Sequence, residues 1–205
     1  MSLILLLKIL EYTSAIIATI KYKKFASKFT TYFLIYLWII CLTETLSPQV
    51  SKYGFSVNGL YTIYTFFEFN LLFLMYLSIT KVEFYKKLIK LFITITNLVF
   101  FFEVYKYGLT MWASNTSVVG SILLSIILIL YLKEFLYSDK ILNYSKSLYF
   151  WITLGSLVYY LGSIPFQAII NYLENRDLYF LQISLAIFAQ SCVIIGFLWS
   201  KKETK

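Results

Sequence analysis

The chain has 205 residues, of which 60% are hydrophobic and 14% are charged, and its formal net charge is +8. Soluble domains are about half apolar and about a quarter charged, so this composition excludes an ordinary soluble protein and also a disordered one. There is no histidine, which removes every mechanism that needs an imidazole as base, proton shuttle or metal ligand. The cysteines Cys41 and Cys192 lie in apolar runs and predict no disulfide framework.

Seven long apolar runs predict membrane-spanning helices, because a helix needs about 20 mostly apolar residues to cross a bilayer. The predicted helices cover 2–20, 30–48, 60–80, 88–106, 117–136, 148–171 and 178–199. The runs are continuous and lack the alternation of barrel strands. Residues 2–20 lack a basic leader region and a cleavage site, so we predict a retained helix there and not a signal peptide. The predicted fold class is all-α, a polytopic transmembrane bundle forming a single domain over 1–205.

Basic residues alternate between the two sides of this predicted bundle. Fourteen of the 18 bases fall in the first, third and fifth connections and in the C-terminal tail: Lys21, Lys23, Lys24, Lys28, Lys81, Lys86, Lys87, Lys90, Lys133, Lys140, Lys146, Lys201, Lys202 and Lys205. The opposite side carries only Lys52, Lys106 and Arg176. Because lysine-rich connections stay in the cytoplasm, we predict that the N-terminus is outside and the C-terminus cytoplasmic. The residue bias is typical of an AT-rich bacterial genome, which predicts a multi-pass protein of the bacterial inner (cytoplasmic) membrane.

Four glutamates fall at membrane depth on the outer side of the predicted bundle. They are Glu11, Glu44, Glu68 and Glu103. A charged side chain at the bilayer centre costs roughly 2.5–3.5 kcal/mol on insertion scales, so each of the four is a candidate for ligand or ion binding. Lys8 lies one helical turn before Glu11, which predicts an ion pair with Glu11 or with another acid.

Glu68 lies close to the middle of the third predicted helix. Tyr61, Tyr64 or Thr65 share its helical face. A carboxyl at this depth can act as a proton or cation site, or it can make a structural hydrogen bond between helices. The further polar candidates for ligand or ion binding at membrane depth are Asn70, Asn97 and Gln190.

The sixth predicted helix carries the longest polar stripe. Polar residues recur there at intervals of three and four: Ser156, Tyr160, Ser163, Gln167, Asn171 and Glu174. Gly155, Gly162 and Pro165 lie beside the stripe and predict a kink and close helix packing. Such a face can line a cavity that opens outward, or it can form a hydrogen-bonded helix interface. Tyr160, Ser163 and Gln167 are therefore candidate binding residues.

A faint internal repeat has an offset of 118 residues. Leu60-Tyr61 matches Leu178-Tyr179 and Lys28 matches Lys146 at that offset, while Pro48 and Pro165 are 117 apart. The offset predicts that helices 1–3 and 5–7 form a parallel repeat with helix 4 as connector. The alternative is a chance match between evenly spaced helices.

The chemistry that the sequence lacks argues against an enzyme. There is no Gly-rich phosphate loop, no metal-ligand cluster and no Ser-His or Cys-His pair. We therefore predict no catalytic residues, no metal and no cofactor, with lipid-modifying chemistry by Glu and Tyr side chains as the remaining alternative.

Several segments carry a resemblance to known proteins. They are Tyr61–Phe69, Tyr137–Asn143, Phe150–Gly155 and Tyr160–Phe166. Through them the chain resembles small multi-pass membrane proteins, of about seven helices, from flavobacterial-type genomes. The resemblance implies a membrane module and carries no mechanism. The positions that it suggests testing first are Glu68, Trp151, Gly162, Pro165 and Phe166.

Two functions fit these patterns. The first is a non-enzymatic sensor or accessory module, whose outer-half polar cavity binds a small ligand and whose basic connections contact a cytoplasmic or membrane protein partner. The alternative is a small transporter or channel for a small solute or cation, with a 3+1+3 helix arrangement. A sensor is expected to show a one-sided cavity closed toward the cytoplasm, and a transporter a path that opens to each side in turn. The expected environment is the lipid bilayer, a homo-oligomer is compatible with either function, and no nucleic-acid partner is predicted.

Overall fold

The computed structural model describes residues 2–169 and 179–201. Over these residues it contains helices and no strand. The α-helices are α1 Leu3–Phe25, α2 Lys28–Lys52, α3 Val57–Leu77, α4 Glu83–Tyr107, α5 Ser114–Leu136, α6 Leu148–Ile169 and α7 Tyr179–Trp199, with a 3-10 helix at Asp139–Lys146. Within the described ranges seven helices are long and apolar enough to cross a membrane, so the predicted all-α seven-helix bundle is confirmed.

Most helices begin or end several residues away from the apolar runs. α1 continues to Phe25, five residues past its predicted end, because Lys23 and Lys24 are good helix formers. α2 begins at Lys28 because the Ser27 side chain accepts a hydrogen bond from the Thr30 backbone and caps the helix. Hydropathy therefore locates the apolar part of a helix, while capping and propensity place its ends. The predicted end of the sixth helix at Asn171 and the predicted start of the seventh at Leu178 lie outside the described residues, as does Glu174.

Six of the helices form a closed ring, and the seventh packs outside it. Going round the ring, α1, α2, α3, α5, α6 and α7 each contact their neighbours, and α7 closes against α1. Because α3 also contacts α5 directly, α4 lies across the outside of the α3–α5 pair. This arrangement is compatible with the predicted 3+1+3 order, in which helix 4 only connects two groups of three.

Hydrogen bonds between helix ends show which ends of the helices lie together. At one end, the Lys24 ammonium donates to the Ser200 carbonyl at 2.7 Å, and the Lys201 backbone donates to the Lys146 carbonyl at 3.0 Å. At the other end, the backbone of Asn115 donates to Glu103 at 2.9 Å. The first end carries the lysine clusters and is called the lysine-rich end below; the second is the lysine-poor end.

The buried core fills the lysine-rich half of the ring. Its largest fully buried side chains include Phe29 and Phe33 of α2 and Phe73 and Tyr76 of α3. The Phe29 and Tyr76 rings meet edge to face with their centroids 5.8 Å apart. Since lipid tails are as apolar as these side chains, the helices are held here by close packing more than by exclusion from water.

Glycines permit the closest helix contacts. A Cβ added at Gly155 of α6 would lie 2.8 Å from the Cys192 Cβ and 3.2 Å from the Ala189 Cα of α7. A Cβ at Gly162 would lie 2.9 Å from the Leu185 side chain. Pro165 lies inside α6 three residues further along. Gly155 and Gly162 therefore stand at the α6–α7 packing interface.

Candidate functional site

A cavity of about 1110 Å³ occupies the lysine-poor half of the ring. Its walls come from α1, α2, α3, α5, α6 and α7 and from Met111 and Trp112, while no α4 residue lines it. The exposed residues Ser51 and Asn58 lie at its rim, so the cavity reaches the surface at the lysine-poor end.

The cavity ends at the level of Glu68, near the middle of α3. Beyond Glu68, α3 continues with Phe69, Leu72 and Phe73, each at most 1% exposed. These side chains belong to the packed aromatic core of the lysine-rich half. The cavity is therefore one-sided.

Glu68 lies at the centre of a tyrosine network on the cavity floor. Its Oε1 atom accepts a hydrogen bond from the Tyr64 hydroxyl at 3.1 Å and another from the Tyr160 hydroxyl at 2.6 Å. The Tyr36 and Tyr160 hydroxyls are 3.2 Å apart, and because Tyr160 already donates to Glu68 it accepts from Tyr36. The network joins α2, α3 and α6. Among the described residues, both donors reach the same carboxylate oxygen, Oε1.

Glu11 and Glu44 stand on the opposite wall, on α1 and α2. Glu11 is only 9% exposed, lines the cavity, and its Oε2 atom has no hydrogen-bond partner among the described residues. Glu44 is neutralised: its Oε1 accepts from the Tyr61 hydroxyl at 2.8 Å, and its Oε2 lies 3.5 Å from the Lys8 ammonium. Burial with an unused acceptor is costly for a carboxylate, so Glu11 is poised for a donor or a cation.

Of the two predicted alternatives for Lys8, the structure shows the pairing with another acid and not the pairing with Glu11. Lys8 reaches across the α1–α2 contact to Glu44, which lies nearer to the lysine-poor surface. A long side chain extends toward the interface in preference to the apolar interior, and Glu44 is the acid that lies there. Glu11, one turn further along α1, turns into the cavity instead.

Amide and hydroxyl pairs hold the remaining walls together. The Ser121 hydroxyl of α5 donates to the Gln167 Oε1 at 2.9 Å, and the Gln167 amide donates to the Ser163 hydroxyl at 3.0 Å. On the far wall the Ser14 hydroxyl donates to the Gln190 Oε1 at 2.7 Å. Gln167 and Gln190 both line the cavity. Within the stripe of α6, Gln167 both bonds to α5 and faces the cavity, whereas the predicted candidates Tyr160 and Ser163 do not line it and instead bond to Glu68 and Gln167.

Three predicted candidates lie outside this cavity and hold α4 in place. Both Glu103 oxygens are occupied at the start of α5, with Oε1 accepting from the Asn115 backbone at 2.9 Å and Oε2 from the Thr116 backbone at 2.7 Å. Free N–H groups at a helix start attract a carboxylate, which explains this use of Glu103. Asn70 and Asn97 bond to each other through both amides, at 2.9 and 3.0 Å. None of the three lines the cavity, and each instead bonds to another helix.

Some cavity residues were missed by the sequence reasoning, including several aromatic ones. Tyr36 and Tyr159 lie on the floor and Trp112 at the wall. A signal existed for the α2 wall, since Tyr36, Ile40, Thr43 and Glu44 follow the spacing of one helical face. In a chain with 19 tyrosines and 19 phenylalanines, such spacing does not separate cavity positions from packing or lipid-facing ones.

The α3 and α7 walls present matching positions to the cavity. Four lining residues of α3 correspond to four of α7 at the offset of 118: Tyr61 with Tyr179, Tyr64 with Gln182, Thr65 with Ile183, and Glu68 with Ala186. Leu178, one of the residues that suggested the offset, lies outside the described residues. The match is compatible with a repeat, which stays a prediction.

The charges of the cavity define its chemistry. Among the described lining residues the charged ones are Glu11, Glu44 and Glu68, with no lysine or arginine. The described part of the chain contains no group of three or more metal-ligating side chains. No family model, curated protein or solved structure matches the sequence. The acidic lining of the cavity is therefore the feature that bears on function.

Proposed function

We propose that this integral membrane protein is a non-enzymatic sensor or accessory module that holds a small polar or cationic ligand in its one-sided cavity. The observation that carries the proposal is the contrast between an acid-lined cavity in one half of the ring and a closed aromatic core in the other. With the orientation that the lysines favour, the cavity faces the outside of a bacterial inner membrane.

A sensor needs an output on the side away from its ligand. At the lysine-rich end, the termini of several helices are bonded to one another, for example Lys24 to Ser200 and Lys201 to Lys146. The connections there are short: two residues join α1 to α2, and five join α3 to α4. A ligand that shifts helices around the cavity would move this basic surface. A cytoplasmic or membrane protein partner would bind this surface and respond to the movement.

Cysteine accessibility tests whether the cavity opens to one side. In a background with Cys41→Ala and Cys192→Ala, a Cys at Ala186 reports on the cavity wall. Ser51→Cys and Lys87→Cys, both exposed, report on the lysine-poor and lysine-rich surfaces. A membrane-impermeant maleimide is expected to label Ala186→Cys and Ser51→Cys from the periplasmic side only, and Lys87→Cys from the cytoplasmic side only.

Other labelling patterns contradict parts of the proposal. Labelling of Ala186→Cys from both sides would favour an alternating path over a sensor. Labelling of Ser51→Cys from the cytoplasmic side would overturn the orientation.

A transporter is the second candidate, and the matched lining positions of α3 and α7 favour it. Two facing walls with one register are what a parallel repeat would place around a central site. Uptake of radiolabelled choline into proteoliposomes tests this candidate. A transporter is expected to show uptake that falls in Glu68→Gln, whereas a sensor shows none above empty liposomes.

A further inference from the structure

We propose that the ligand of the cavity is a small organic cation, such as a protonated amine or a quaternary ammonium compound. This inference rests on the proposed function, since it needs a cavity that holds a ligand. Three features indicate this chemical class: the carboxyl groups of the cavity, the unpartnered Oε2 atom of Glu11, and the aromatic walls.

The cavity contains more carboxyl groups than the protein pairs with cations. Of the three, only Glu44 forms an ion pair among the described residues, with the Lys8 ammonium 3.5 Å away. Glu68 accepts only from neutral hydroxyls, and the Oε2 atom of Glu11 has no described donor. An ionised carboxylate removed from water needs a positive partner, and a cationic ligand supplies one.

Glu11 marks where that charge binds. Its side chain is nine-tenths buried, it faces the cavity, and its Oε2 atom has no hydrogen-bond partner among the described residues. Buried polar atoms in proteins are almost always hydrogen-bonded, so an unpartnered carboxylate oxygen at a cavity wall calls for a ligand donor. An ammonium group is the donor that matches both the vacant acceptor and the negative charge.

The walls suit an organic cation more than a bare ion. Aromatic lining residues stand on several sides, including Tyr36, Tyr64, Trp112 and Tyr159, and aromatic faces attract organic cations. Inorganic cations need several converging oxygen ligands, and the described residues provide no cluster of three metal-ligating side chains. The volume of about 1110 Å³ is that of a site for an organic molecule.

Binding of two charged probes to the detergent-solubilised full chain tests this inference. Choline and putrescine are each compared with an uncharged isostere, dimethylbutanol and butanediol respectively, in a radioligand assay. Choline or putrescine is expected to bind saturably, and the matching isostere is expected not to displace it. Glu11→Gln is expected to weaken binding about tenfold or more, because it removes one charge of a buried pair.

Matched variants keep the result interpretable. Glu83→Gln removes an exposed carboxyl at the lysine-rich end, with 76% of its side chain exposed, and is expected to bind as the wild type does. Glu11→Asp keeps the charge and is expected to retain most of the affinity. If Glu11→Gln does not fold, the comparison of each probe with its isostere on the wild-type chain still decides the question.

Four results would overturn this inference. Displacement by the uncharged isostere, unchanged affinity in a folded Glu11→Gln, or binding of neither cation overturns the organic-cation assignment. Saturable binding of Na⁺ alone, without either amine, also overturns it. In each case one-sided labelling of Ala186→Cys would leave the sensor proposal standing, so the two failures are distinguishable.

Discussion

The two halves of the ring are built from the same six helices, but one half is packed at its centre and the other encloses a cavity. In the lysine-rich half, aromatic side chains close the centre, and the Tyr76 hydroxyl donates to Thr153 at 3.0 Å within the packed core. In the lysine-poor half the helices surround a cavity with acidic and aromatic walls. α3 belongs to both, since Tyr61 and Tyr64 lie on one side of Glu68, and Phe73 and Tyr76 lie on the other.

The comparison teaches that one half can hold the ring while the other stays open. In a bilayer no hydrophobic force acts between helices, so association depends on close packing and on polar bonds. The packed half supplies the former, and the cavity half supplies polar bonds such as Tyr160 to Glu68. We therefore expect stability to depend mostly on the packed half and binding on the open half. The first two of the four sets of variants below test this division and the other two test how α4 is held, and we expect the effects to decrease in the order given.

The largest loss of stability is expected for Phe73→Ala, in the packed half. Phe73 is 0% exposed, and its removal leaves a void that the surrounding helices fill only in part. We expect the free energy of unfolding in mixed micelles to fall by about 3 kcal/mol, the lower end of the range for buried Phe→Ala changes. The control is Phe67→Ala on the same helix, at a side chain that is 45% exposed. Equal losses in the two variants would show that the core is not what holds the ring.

The second largest loss of stability is expected when a side chain is added in the packed half, and the same change in the open half is expected to have little effect. Gly155→Val places a side chain against the α7 backbone at Ala189 and is expected to cost about 1–3 kcal/mol of unfolding free energy. Ala186→Val, on the same α7 helix, adds volume toward the cavity and is expected to change stability little. Thermal unfolding of both variants in one detergent makes the comparison. If Ala186→Val were the more harmful, the cavity would be a tightly packed site.

The third largest loss of stability is expected when the cap on α5 is removed. Glu103→Gln replaces one carboxylate oxygen by an amide that cannot accept from the start of α5. We expect a loss of about 1–2 kcal/mol, as for other helix caps, with faster amide hydrogen exchange at Asn115 and Thr116. Glu83→Gln serves as the exposed control. Unchanged exchange at both amides would show that the carboxylate does not cap α5.

The smallest effect is expected for the bond between α3 and α4. A double-mutant cycle with Asn70→Ala and Asn97→Ala measures the coupling of the two amides, which bond to each other at 2.9 and 3.0 Å. Polar pairs between membrane helices average about 0.6 kcal/mol, and we expect a value near that. Additive losses from the two single variants would mean that the amides act separately.

The candidate site was only partly predictable, because the sequence identifies buried acids without saying what they face. Glu11, Glu44 and Glu68 share one cavity, whereas Glu103 caps a helix. In sequence each of the four is a carboxyl at membrane depth, which does not say which of them face a common cavity. The difference arises from helix rotation and from the nearest helix end, and these are properties of the assembled bundle. The same reason explains why Lys8 pairs with Glu44 across two helices.

The sequence by itself determined the number of helices, their approximate positions and the end at which the lysines gather. These follow from local quantities, since apolar length decides what can span a bilayer and the order of the chain decides which connections share a side. Only the tertiary structure decided that α4 lies outside a ring of six and that the ring is open in one half. It also decided that Tyr160 donates to Glu68 there and accepts from Tyr36. Those facts depend on packing between distant helices, where sub-ångström fit at residues such as Gly155 selects one arrangement among many that share the same hydropathy.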